Sequence, residues 1–194
     1  MVMVVALGSP SIQSAPAGIG SLADNGCTCH GGYTNTTQPT ILGLPEEFES
    51  NITYDLTLSV EAYSEHHSET AQGGFRLLIS NGFVEIQNQS RVQFLDGGWT
   101  HTESGNQYRN WNLTWTAPGD NTTTVDFVLH GNAVNGNGNS DGDMWNTFGT
   151  VLPGAQYEGP VEPLDLKNEL DDTQYGILYV GLVALLLFLY FAVK

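Results

Sequence analysis

The chain has 194 residues, with five Lys+Arg against 21 Asp+Glu and a formal net charge of -16 at pH 7. That length suits one or two small domains, and so few cations argue against sequence-independent nucleic-acid binding, which needs clustered Lys and Arg to neutralise phosphates. Hydrophobic residues at 40% and aromatics at 10% argue against disorder, while charged residues at 13%, with Gly, Asn, Thr and Ser filling the gap, suit a turn-rich all-β extracellular module.

The chain opens on a short apolar run, MVMVVAL, followed by Gly8-Ser9-Pro10 and the small residues Ser14 and Ala15. This reads as a signal peptide over residues 1–15, short and without a basic leading region. The alternative is a short N-terminal strand of the mature protein. Residues 16–38 form an arm rich in Gly, Ala, Asn and Thr that holds both cysteines.

A β-domain is expected over 39–152. Ile52, Tyr54, Leu56, Leu58, Val60 and Ala62 alternate with polar residues, the period of a half-buried strand. Phe75, Leu77 and Ile79 alternate likewise, and residues 83–86 and 92–95 are shorter candidates. Trp111, Leu113 and Trp115 share one face of a further strand, so both tryptophans are expected in the core. Ala117-Pro118-Gly119-Asp120 then turns the chain. Val125, Phe127 and Leu129 make another strand, and a last one falls within residues 144–152. About seven short strands with turn residues between them favour an antiparallel, immunoglobulin-like β-sandwich.

Residues 153–174, with Pro153, Pro160, Pro163 and many acids, read as an extended stalk. Residues 175–193 are 19 without a charge, about 28 Å of helix, enough to cross a hydrocarbon core. Glu169, Asp171 and Asp172 precede this segment and Lys194 follows it. The positive-inside tendency therefore puts the acidic domain outside the cell and the chain in the membrane as a single span. Five N-x-S/T sequons, at Asn35, Asn51, Asn88, Asn112 and Asn121, are compatible with export.

Three clusters carry chemistry. Cys27-Thr28-Cys29-His30 places two thiols beside an imidazole. Covalent haem attachment uses C-x-x-C-H, and here the spacer is one residue shorter. Four readings stay open: haem held by one thiol, strained attachment through both, a copper or zinc site, and a disulfide that closes a loop. Asn137, Asn139, Asp141 and Asp143, separated by Gly and Ser, have the oxygen spacing of a calcium loop, with Gly142 at the turn. Phe148 stands where a bidentate Glu would close an EF-hand, so an EF-hand is excluded. The alternative is a loop whose Asn and Asp cap their own backbone. Glu65-His66-His67-Ser68-Glu69 reads as a solvated acidic loop rather than a metal site. No G-x-S-x-G, Walker loop or dinucleotide fingerprint stands in the chain, so it does not read as an enzyme.

Several blocks line up in order: Gly26-Cys27-Thr28-Cys29-His30-Gly31, Gly74-Phe75-Arg76-Leu77, Thr100-His101-Thr102, the run from Trp111 to Pro118, Asn132-Ala133-Val134-Asn135-Gly136 and Gly142-Asp143. Over about residues 15–152 they resemble the microbial choice-of-anchor V family, which is similar to the Reeler domain of extracellular animal proteins. The resemblance implies a signal peptide, an immunoglobulin-like sandwich, a C-terminal surface anchor and no established catalysis. Family members usually carry C-x-x-C-H, where this chain has Cys27-Thr28-Cys29-His30. If iron is bound there, His101, inside a family-like block, is the first choice for its second axial ligand. Two functions follow: a membrane-anchored extracellular module that binds an unidentified ligand or protein, or a single-centre redox protein.

Overall fold

The computed structural model describes residues 15–28, 31–63, 71–137, 140–166 and 172–193. The expected signal segment lies almost wholly outside them, as do Cys29, His30, Asn139 and the Glu65–Glu69 loop. The chain divides into two units, residues 1–164 and 165–194.

The described residues of the first unit are mostly β, with two single 3-10 turns at Ser21–Ala23 and Gly105–Gln107. Its strands are β1 (Gly32–Tyr33), β2 (Gln38–Leu42), β3 (Thr53–Glu61), β4 (Gly73–Ile79), β5 (Phe83–Ile86), β6 (Val92–Leu95), β7 (Gly98–His101), β8 (Asn110–Thr116), β9 (Thr124–Ala133) and β10 (Met144–Pro153). They form a six-stranded sheet ordered β1-β10-β9-β4-β7-β6 and a four-stranded sheet ordered β2-β3-β8-β5. The seven expected strands are all present. The named strands pair antiparallel except β1, which lies parallel to β10 with Gly32 opposite Met144, and an isolated parallel bridge joins Phe48 to Gly154.

Alternation builds the core. Leu56, Leu58 and Val60 of β3 and Trp111, Leu113 and Trp115 of β8 point inward from the smaller sheet. Phe75 and Leu77 of β4 and Val125, Phe127 and Leu129 of β9 point inward from the larger one. Both tryptophans are buried as expected, Trp111 at 2% and Trp115 at 0% exposure. Each indole N–H also finds a carbonyl, on Gly105 and Asn81, both at 3.0 Å. Without these acceptors, burial of the N–H would be unfavourable.

Three strands were not anticipated. β2 carries Pro39, which is tolerated because β2 is an edge strand. β1 has only two residues, too few for a periodic signal. β7 follows the two-residue turn Asp96-Gly97, where both residues have positive φ (45° and 80°). That is the geometry of a type I′ hairpin, and Asp-Gly is its characteristic sequence.

The sheet pairing runs beyond β10. Phe48 N–H donates to the Pro153 carbonyl and Ala155 N–H to that of Phe48, both at 2.9 Å. Gly154 N–H donates to Thr123 at 2.9 Å and Gln156 N–H to Asn121 at 3.0 Å. Residues 153–156, expected in the stalk, are therefore braced by the sandwich.

Among its described residues the second unit holds one helix, α1 (Asp172–Val193). Its 18-residue stretch Tyr175–Ala192 is long and apolar enough to cross a membrane, and it is the one such helix among the described residues.

Candidate functional site

On β4 the inward residues Phe75 and Leu77 leave Arg76 on the outer face of the six-stranded sheet. The register sets Arg76 opposite His130 on β9 and opposite Thr100 on β7. An unpaired guanidinium there would face solvent, yet Arg76 is 0% exposed. The N-terminal arm covers it. Asp24 accepts from Arg76 Nε through Oδ1 at 2.8 Å, while the two terminal nitrogens donate to the carbonyls of Leu95 and Asp96 at the β6–β7 turn. Gly98 makes room for this path, because a Cβ there would lie 2.8 Å from the guanidinium carbon.

Asp24 engages His130 as well. Its carbonyl lies 2.9 Å from His130 Nε2, and a carbonyl can only accept, so Nε2 carries the proton. The neutral ring then accepts from the Thr147 hydroxyl at Nδ1, at 2.7 Å. Elsewhere Ile19 N–H donates to Thr100 Oγ1 at 3.2 Å, Gln93 donates to the Ala17 carbonyl, and Asn106 donates to that of Pro16 at 3.1 Å. The arm is thus strapped along the outer face of the sheet rather than projecting from it.

Burial, foremost, and the nearby Arg76 charge lower the His130 pKa below its ordinary 6.5, against the raising effect of the Asp24 carbonyl and carboxylate. Above 6.5 the ring is neutral in both folded and unfolded chains. As pH falls below 6.5 the unfolded chain takes the proton first, so stability is lost until the folded ring also titrates. Melts between pH 8 and 5 should therefore fall more steeply for the native chain than for His130→Gln. Parallel profiles would show that His130 titrates alike in both states.

The arm brings two of the sequence clusters together. Gly26, at φ +120°, lies against the Trp145 ring, which would stand 2.4 Å from a Cβ. Gly31, at φ +57°, lies against the Asp143 backbone at 1.6 Å on the same measure. The Cys27 segment is therefore pressed onto the start of β10, immediately after the Asn/Asp loop. Cys27 itself is buried, at 7% exposure.

His101 is placed apart from that contact. Its Nδ1 accepts from Phe75 N–H at 3.2 Å, taking the place of a backbone acceptor at the end of the β4–β7 ladder. The ring lies over Gly74, whose Cβ would come within 2.5 Å of it. His101 is on β7 and Trp145 on β10, so in the order β10-β9-β4-β7 three strand spacings, about 14 Å, separate their backbones.

The Asn/Asp loop is organised by its own backbone. The Asn135 and Asn137 amides both donate to the Asp141 carbonyl, at 2.8 and 2.9 Å. Asn135 Oδ1 accepts from Asn137 N–H at 3.0 Å, and the buried Asp143 accepts from Asn135 N–H at 3.1 Å. Asn137, Asp141 and Asp143 do share one loop, but Asn137 turns its amide nitrogen inward, the geometry of a self-capped turn. Among the described residues no group of three His, Cys, Asp or Glu is placed to hold a metal ion.

Sequence reasoning missed the Arg76–Asp24–His130 latch. An arginine in the middle of the apolar run Phe75–Ile79 was the available signal, because such a charge is buried only with partners.

No family model matches the chain, and no curated protein matches it. Among solved structures it is similar to the Reelin-N domain of F-spondin, at 20% identity and a TM-score of 0.43, over 64% of this chain and 89% of that one. It is also similar to the human F-spondin reeler domain, at 19% and 0.41, over 63% and 92%. The major subunit of aggregative adherence fimbriae type I from Escherichia coli is similar at 13% and 0.38, over 63% and 97%. These likenesses concern the fold alone. The two-sheet sandwich itself is read from its own strand order and register.

Proposed function

We propose that the chain is a non-catalytic surface module of choice-of-anchor V type, held in the cell membrane by α1 with its acidic sandwich outside and engaging a ligand or protein there. The observation that carries this reading is α1 itself. Its described side chains between Thr173 and Ala192 are exposed on every side, and none from Tyr175 to Ala192 is charged. A helix apolar all round needs lipid or a protein interior around it. At ~1.5–3 kcal/mol for each large apolar side chain removed from water, insertion is favoured by on the order of tens of kcal/mol. The net charge of -16 is consistent with a domain facing solvent beyond the membrane.

The full chain should pellet with membranes and resist alkaline carbonate, and deletion of residues 173–194 should release the sandwich into the soluble fraction. A truncated chain that still pellets would show that another segment anchors it. The orientation is read by protease added to intact cells, which should degrade the sandwich. A Soret band in the purified full chain would replace the binding-module reading with that of a haem protein at Cys27, Cys29 and His30.

A further inference from the structure

Five asparagines head N-x-S/T sequons, and the fold sorts them. Asn35, Asn51, Asn88 and Asn112 are exposed, whereas Asn121 is buried at 8% exposure. We propose that the first four carry N-linked glycans and that Asn121 does not. The proposal rests on the export assumed above, since glycan transfer of this kind takes place on the outer side of a membrane.

Each site has a local reason. Asn112 lies in β8 between the inward-facing Trp111 and Leu113, so alternation turns it out onto the open face of the four-stranded sheet. Its Oδ1 accepts from the Thr57 hydroxyl at 3.0 Å. Asn88 Oδ1 accepts from both the N–H and the hydroxyl of Ser90, at 3.1 and 2.6 Å, and Ser90 supplies the hydroxyl of its sequon. Both asparagines are thus held through oxygen, and the amide nitrogen, the atom a glycan needs, takes no part in those bonds. Asn35 lies between β1 and β2 and Asn51 just before β3, where its φ of 59° belongs to a tight turn.

The contrast with other asparagines is chemical. Asn106, Asn135, Asn137 and Asn146 all donate their amide nitrogens to carbonyls. None of these four heads a sequon. Asn121 fails on space. Its carbonyl accepts from Gln156 N–H, and Gly154 sits so close that a Cβ there would lie 2.2 Å from that oxygen. A sugar on its amide would need an opening that a residue 8% exposed does not give.

Asn112 is placed to matter most. The register aligns Leu42, Thr57 and Asn112 across three strands and sets Phe83 beside Thr116. Leu42 and Phe83 are 58% and 67% exposed, apolar points on a sheet face otherwise made of Thr, Ser, Asn, Gln and acids. A glycan on Asn112 would rise in the same row as Leu42, four residues along β8 from the row of Phe83, over a sheet whose edge strands β2 and β5 are the usual route to aggregation.

The chemistry is a group transfer without redox change. The Asn amide nitrogen attacks the anomeric carbon of a glycan carried on a lipid phosphate or pyrophosphate. The C–N bond forms as the C–O bond to phosphate breaks, the lipid phosphate leaves with the electron pair, and a base of the transferase takes the amide proton.

The test uses the full chain from host membranes, digested with non-tryptic proteases and read by mass spectrometry for glycopeptides. Glycan increments are expected on the peptides of Asn35, Asn51, Asn88 and Asn112, and the Asn121 peptide should appear at its bare mass. Asn112→Gln should remove one glycan's mass, and Asn121→Gln should remove none. Protease added to intact cells reports export separately. An exported chain bare at these four residues overturns the glycan assignment and leaves the surface reading intact, as does a glycan found on Asn121. A chain that is bare and inaccessible to the protease overturns both.

Discussion

Replacing Trp115 with alanine should lower the stability of the sandwich by about 3–5 kcal/mol, the cost of emptying a large buried site that cannot collapse. The indole is fully buried. It stacks with Tyr54 at 5.7 Å and meets Phe48 and Phe127 edge-on at 5.8 and 5.0 Å. Those partners come from both sheets and from the connection between β2 and β3, so no single element can move in to fill the space. For a domain of this size each kcal/mol shifts Tm by roughly 2–4 °C, which gives a drop of about 6–20 °C. Trp111→Ala should fall in the same range, since Trp111 packs on Phe75 at 4.6 Å and is almost as buried. Denaturant titration reads the loss directly. A change below about 1 kcal/mol for both variants would remove β8 from the core.

The second large effect concerns the latch. Asp24→Ala should cost about 3 kcal/mol, at the lower end of what breaking a buried ion pair costs. The substitution leaves the Arg76 guanidinium buried with only the Leu95 and Asp96 carbonyls for company. The cost stays at the lower end because the Asp24 side chain is 35% exposed, so water can enter where it stood. Arg76→Met acts differently. It leaves Asp24 hydrated but orphans two carbonyl oxygens, for about 1–3 kcal/mol. The double variant should lose less than the sum of the two, with a coupling of about 1.5–3 kcal/mol. Additive losses would mean that the 2.8 Å contact contributes nothing to folding. Arg76→Lys should not rescue the native value, because one ammonium cannot reach three acceptors spread around a planar fork.

The two predictions differ in how far the sequence announces them. Alternation through Trp111, Leu113 and Trp115 marks a strand and its buried face within seven residues, because side-chain direction in a strand is a local property. The same period marks β3, β4 and β9, while β5, β6 and β10 read as short apolar runs between turn residues, and the uncharged stretch from Tyr175 marks the helix. β7 is also legible, since Asp96-Gly97 is a hairpin signal. β1 is not, because two residues have no period and their pairing with β10 is decided by contacts more than 100 positions away. The latch belongs with β1. Asp24 lies 52 residues from Arg76 and 106 from His130, and no local rule links such positions. For the site, the Cys27 segment and the Asn/Asp loop were each visible as clusters. Their meeting at the start of β10 came from the glycines at 26 and 31, whose role depends on what approaches them.

The brace at the end of β10 has a mechanical side. Beyond Tyr157 the chain runs on toward α1, so a tug on that tail enters the sandwich at residues 153–156. There it meets bonds to two separate stretches of chain, Phe48 on one side and the turn holding Asn121 and Thr123 on the other. Behind them lies β10, held in register with β9 over ten residues. A pull along the strand loads those rungs together, so they share the force, whereas a pull across it would peel them singly. The knot of bonds at Phe48 keeps the tail from lifting sideways and so converts peeling into shear.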